Sequence, residues 1–200
     1  YWGFYSITPT GEGGFQPISP VGYDYQWALQ SEGGGAGIYD DGYYYCFTAL
    51  GRYDNYKVQY SKVNTKTWET EKTGVVSGSN TAPVPVPVDM TVNPADGKIY
   101  AVCRTQLGSG NGNGGVLVTV DRETGEMTKI ADLSYFFWTI SCDSDGQMYG
   151  ISTGSDYVRG TLYRISTGGQ VEEVGPTGLA FYDIEQSATI DFRSGKMYLT

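Results

Sequence analysis

Apolar and polar residues alternate in short runs along most of this chain, and each run is cut by a glycine-bearing polar turn. That period-two pattern predicts strands joined by tight turns and no long helices. Four segments repeat one theme, a turn followed by an aromatic strand: IYDDGYYYCF from Ile38, VNPADGKIYAV from Val92, SCDSDGQMYGI from Ser141 and IDFRSGKMYLT from Ile190. Their glycines, Gly42, Gly97, Gly146 and Gly195, stand 55, 49 and 49 residues apart. The period is nearly constant, and the longer first interval marks a loop insertion.

A second set of segments interleaves with the first: from Tyr5, Val58, Val116 and Thr161, each reads as an alternating strand, a short polar turn and a second strand. One period therefore holds two hairpins, a four-stranded antiparallel sheet whose strands are expected to run A to D from the centre outwards. Such a sheet cannot hide two apolar faces by itself, so the copies must stack face to face. Radial stacking predicts a β-propeller. Small residues at matching places in strand A, Gly37-Ile38, Thr91-Val92, Thr139-Ile140 and Thr189-Ile190, fit blades converging on an axis. A β-sandwich is the alternative, but it would not demand a fixed period.

The phase of the repeat is informative. The chain opens on strands C and D over about residues 1 to 22, runs through three whole blades, and reaches strands A and B over about 186 to 200. Joining the two part-blades would close a four-bladed ring; otherwise the chain is part of a six- to eight-bladed one. The blades, with Asp96-Gly97-Lys98-Ile99-Tyr100, Asp145 to Tyr149, Ser194 to Tyr198 and the Asp121 to Gly125 hairpin, resemble bacterial secreted propellers of the YncE-like, NHL-like or kelch-like kind. That resemblance implies a fold, in a class containing binding scaffolds, adhesin-associated domains and a minority of enzymes. The kelch double glycine, the WD dipeptide and the full sialidase Asp-box are absent from the sequence.

Composition adjusts the picture. The 29 Gly and 18 Tyr among 200 residues suit strands and turns, and the net charge of −9 with scattered Lys and Arg offers no phosphate-binding stripe. Nucleic acid is not an expected partner. An acidic, Tyr- and Gly-rich chain fits a secreted, periplasmic or cell-surface protein linked to further domains, and no apolar run reaches the roughly 18 residues of a membrane span. Cys46, Cys103 and Cys142 lie in apolar strand contexts and are expected as buried thiols.

No histidine occurs, which removes His-dependent nucleophile systems and His-ligated metals. Neither cofactor nor metal is expected. Asp143-Ser144-Asp145-Gly146 resembles the start of a calcium loop, but its counterparts in other copies show it to be a turn. Gly108 to Gly115 lacks the Lys-Ser/Thr of a phosphate loop and reads as a flexible linker. Paired carboxylates remain, and Asp89, just before strand A, with Asp183 and Glu185 in the matching connection of the last copy, are the weak catalytic candidates.

The D-to-A connections concentrate aromatic residues: Tyr23, Tyr25 and Trp27, then Tyr135, Phe136, Phe137 and Trp138, then Phe181 and Tyr182. The remaining one carries Pro83, Pro85 and Pro87. On one face of a disc, Tyr23, Tyr25, Trp27, Tyr135, Phe136, Trp138 and Tyr182 would form a ligand-binding platform, unless they serve as blade-to-blade packing. The leading expectation is a non-enzymatic binding or scaffold propeller presenting that face to a glycan or protein. The alternatives are a carbohydrate-active enzyme using the inner carboxylates, and a structural spacer.

Overall fold

The computed structural model describes residues 4–6, 16–19, 36–50, 57–76, 85–104, 114–152, 159–180 and 187–199. Strands form where the alternation predicts them, because the turns between them require glycine. Gly42, Gly97, Gly146 and Gly195 sit at φ of +86°, +70°, +85° and +65°, conformations an L side chain resists. In the first copy Asp41 joins Gly42 at positive φ, giving the two-residue hairpin turn that follows strand twist.

A hairpin, β1 (Phe4–Ser6) with β2 (Gln16–Ser19), precedes three four-stranded antiparallel sheets. Blade one is β3 (Gly37–Asp40), β4 (Tyr43–Leu50), β5 (Lys57–Asn64) and β6 (Thr70–Val76). Blade two is β7 (Val86–Val92), β8 (Ile99–Arg104), β9 (Val116–Val120) and β10 (Met127–Asp132). Blade three is β11 (Thr139–Cys142), β12 (Met148–Ser152), β13 (Arg159–Ile165) and β14 (Val171–Ala180). A final hairpin pairs β15 (Ala188–Asp191) with β16 (Lys196–Leu199).

Strands within each blade pair in chain order, and the first strands of successive units pack on one another, β3 on β7, β7 on β11 and β11 on β15. This is the propeller arrangement, with β3, β7, β11 and β15 innermost. No helix occurs among the described residues. Two apolar layers hold the blades. Tyr45, Phe47 and Tyr60 of blade one meet Met90, Ile99 and Val118 of blade two. On blade two's other face, Tyr100, Val102 and Leu117 meet Ile140, Met148 and Phe137 of blade three. Cys46, Cys103 and Cys142 are buried, as their strand contexts implied, and burial pushes the Cys142 thiol up to about 11.

Register corrects one detail of the repeat. The strand-B tyrosines Tyr100, Tyr149 and Tyr198 pair with Thr91, Ser141 and Thr189. Ser141, not Thr139, is therefore the counterpart of Thr91, since blade three's first turn is one residue shorter. The proline run is corrected too: Pro87 lies buried inside β7, where the ladder shifts between Pro87 and Asp89. A residue without an N–H is tolerated at such a bulge.

Candidate active site at the propeller axis

Asp89 lies within β7 and is 5% exposed, rather than in a loop before the strand. Its Oδ1 accepts the N–H of Met90 at 2.9 Å, while Oδ2 accepts the Thr139 hydroxyl at 2.5 Å and the Ile140 N–H at 3.0 Å. The Ala188 N–H also acts on this carboxylate, so one side chain joins the inner strands of three successive units. Burial pushes its pKa up to about 6, against the hydrogen bonds from Thr139, Ile140, Met90 and Ala188, which favour the ionised form. A carboxyl group tuned into the neutral range, at the point where blades converge, is what proton-transfer chemistry requires.

Further along the inner strands, hydroxyls form a ladder between blades. Thr91 Oγ1 accepts the Cys142 N–H at 2.9 Å, and Ser141 Oγ accepts the Ile190 N–H at 3.0 Å. The inner strands β7 and β11 thus each satisfy a backbone donor of the next, where no strand-to-strand ladder exists to do so.

The connection entering β11 brings a second group of residues to the same end. Arg104, at the end of β8, pairs in register with Val86 at the start of β7. Its guanidinium stands 5.1 Å from the Phe136 ring centre and 5.0 Å from that of Trp138, and those rings meet edge to face at 4.8 Å. Tyr135 stacks on Tyr163 at 4.8 Å, and Phe137, 1% exposed, meets Tyr163 edge-on. The aromatic run therefore divides: Phe137 belongs to the core, Tyr135 is 39% exposed, and Phe136 and Trp138 flank a cation.

Of the expected site residues, Asp89, Phe136 and Trp138 are brought to this end of the inner strands, whereas Tyr135 lies on Tyr163 of β13, away from them. Tyr23, Tyr25, Trp27, Tyr182, Asp183 and Glu185 lie outside the described residues. Arg104 and Thr139 were not anticipated. A hydroxyl directly after an aromatic run was the only local sign of Thr139, and Arg104 carried none. Among the described residues no cluster of three metal-ligating side chains exists. At the Asp143 turn the carboxylate accepts backbone N–H groups of Asp145 and Gln147 at 3.0 and 2.9 Å, which is turn geometry.

No family model matches the chain, and no curated protein does. Solved structures do. The chain is similar to an exo-β-1,3-galactanase from Clostridium thermocellum, with TM-score 0.58 and 16% identity over 99% of this chain and 44% of that one. It is similar to a GH43_1 enzyme from Xanthomonas citri complexed with xylose, at 0.52 and 12% over 82% of this chain and 60% of that one. It is also similar to a GH43 β-1,3-galactosidase, at 0.50 and 15%, covering 89% of this chain and 37% of that one.

The chain thus spans between about a third and three-fifths of the length of these neighbours. At such identities the likeness establishes the fold, an all-β propeller. It also corrects the leading expectation of a non-enzymatic binding or scaffold propeller. The neighbours are carbohydrate-active enzymes, so support passes to the glycoside hydrolase alternative.

Proposed function

We propose that this chain is the propeller part of a carbohydrate-active enzyme that cleaves a glycosidic bond, with Asp89 as a carboxyl group of the reaction centre. The observation that carries the reading is the placement of Asp89: buried, shared by the inner strands of three units, with its pKa pushed up to about 6. A propeller fold shared with GH43 enzymes supports it.

Glycoside hydrolysis uses two carboxyl groups, one to give a proton to the leaving oxygen and one to act as base or nucleophile. Asp89 is held rigidly by Thr139, Ile140 and Met90, which suits it to setting the field and proton balance at the axis. Its partner is assigned to Asp183 or Glu185, the latter three residues before Ala188 in the chain. Arg104, Phe136 and Trp138 stand at the end of the inner strands from which a sugar would enter, offering an apolar ring surface and a cation. The glycan is the substrate in this reading. The acidic composition supports a secreted, periplasmic or surface location beside further domains, with blades of the YncE-, NHL- or kelch-like pattern.

The test is sugar release from β-1,3-galactan and from xylan by the wild-type chain and by Asp89→Asn. The expected result is release by wild type, a loss of at least about 100-fold in the variant with unchanged circular dichroism, and a pH profile with a limb near 6. Wild-type protein that neither binds nor cleaves either polymer would sink the reading.

A further inference from the structure

We infer that Thr139 is the positioning residue of the axial acid: its hydroxyl holds Asp89 through the change between protonated and ionised carboxyl, and decides how readily that change occurs. The inference rests on the reading of Asp89 as a carboxyl group of the reaction centre.

Register sets the pair up. Asp89 pairs with Val102 and Thr91 with Tyr100, as Thr139 pairs with Ile151 and Ser141 with Tyr149. Thr139 therefore occupies in β11 the place that Asp89 occupies in β7, and the two side chains meet at 2.5 Å. Both are buried, Asp89 at 5% exposure and Thr139 at 0%. Thr139 also departs from the habit of its neighbours. Thr91 and Ser141 accept a backbone N–H from the following inner strand, whereas Thr139 donates its hydroxyl to a carboxylate on the preceding one. Quieting a main-chain donor, the task of the other two hydroxyls, is not what this contact does.

The other partners of Asp89 are the N–H groups of Met90, Ile140 and Ala188. An N–H can only donate, so each favours the ionised carboxylate, whereas a hydroxyl both donates and accepts. Of these four partners, Thr139 alone can turn from donor to acceptor when Asp89 takes up a proton. On the elements around Asp89, β3 carries Tyr39 and Asp40, β4 its tyrosines and Cys46, β8 Tyr100, Cys103 and Arg104, β11 Cys142, and β15 Asp191. After burial, the Thr139 hydroxyl acts most strongly on Asp89, ahead of the three N–H groups.

Carbon-13 NMR titration of the Asp carboxyl carbons in the full chain tests this, with Asp89→Asn identifying the Asp89 signal. Wild type is expected to titrate near 6. Thr139→Val keeps the shape but removes the hydroxyl, and is expected to move the midpoint upward by about one pH unit or more, because a donor to the charged form is lost. Thr139→Ser, which restores a hydroxyl, should titrate as wild type does, and circular dichroism checks that each variant folds. In the wild type itself the Thr139 Cβ signal should shift with the same midpoint as the Asp89 carboxyl, a measurement that needs no variant. A Thr139→Val midpoint that does not rise, a Thr139→Ser midpoint raised as far as that of Thr139→Val, or a Thr139 signal that ignores the titration would each overturn the inference. The readout is the carboxyl itself, so a chain that releases no sugar removes the glycoside hydrolase reading and leaves this result to be judged separately.

Discussion

The two blade junctions of this chain solve one problem with different chemistry. Blade one meets blade two through an apolar and aromatic core in which Tyr45, Phe47 and Tyr60 face Met90, Ile99 and Val118, and the Tyr60 phenol donates to the Arg122 carbonyl. Arg122 in turn reaches Asp40 with Nε and a terminal nitrogen at 2.9 and 2.6 Å, and Lys62 meets Glu123 at 2.7 Å. Blade two meets blade three with polar groups at the axis itself, Asp89 to Thr139 and Ile140, and Thr91 to Cys142. Where blade one has Ala36 and Ile38, blade two has Asp89 and Thr91. The first junction has no carboxylate at the matching place, whereas the second carries a buried acid that ionises at a cost, the trait on which the proposed role of Asp89 rests.

Breaking the first junction should produce the largest effect. Tyr60→Ala removes a ring 1% exposed and is expected to cost about 3–5 kcal/mol, read from the denaturant midpoint. The second junction should respond to pH instead. Asp89 holds its proton to about 6 when folded and releases it near 3.8 when unfolded, so the folded state binds the proton more tightly. Its contribution is fully present below about pH 4, is lost as pH rises through about 6, and is worth on the order of 3 kcal/mol across that window. Stability of Asp89→Asn, measured from pH 4 to 7, should lack this component of the wild-type slope.

A smaller loss is expected from Thr91→Val, which leaves the buried Cys142 N–H without its acceptor and should cost about 1–3 kcal/mol by chemical denaturation. The smallest belongs to Arg122→Met. With Arg122 and Asp40 partly exposed at 31% and 25%, the expected cost is about 1 kcal/mol or less, shrinking as salt is raised in the same measurement. Should Arg122→Met prove as damaging as Tyr60→Ala, the division into a greasy seam and a polar hub would be wrong.

The blades were legible in the sequence because they depend on local rules. Gly42, Gly97, Gly146 and Gly195 announce turns that need positive φ, and the alternation between them sets which face each side chain takes. The site was only half legible. Asp89 stood out as a carboxylate, but its burial depends on the bulge after Pro87, and the reach of Thr139 to it spans 50 positions. Neither feature has a local signature. The alignment of Thr139 with Thr91 was off by two residues: strand pairing counts from the turn, and blade three's turn, shorter by one, accounts for one of them. Arg104 escaped notice altogether, since its seat between Phe136 and Trp138 exists only after blades two and three have met. Composition did not separate a binding propeller from an enzyme, and the aromatic loops favoured the binding reading that the similar solved structures count against.

The hydroxyl ladder has a direction. Thr91 receives from blade three and Ser141 from the final hairpin, so blades two and three each supply the acceptor that quiets an amide in the next unit. Deuterium uptake at the amides of Cys142 and Ile190 would therefore report the seating of one sheet on the one before it, whichever of the two sheets carries the lesion.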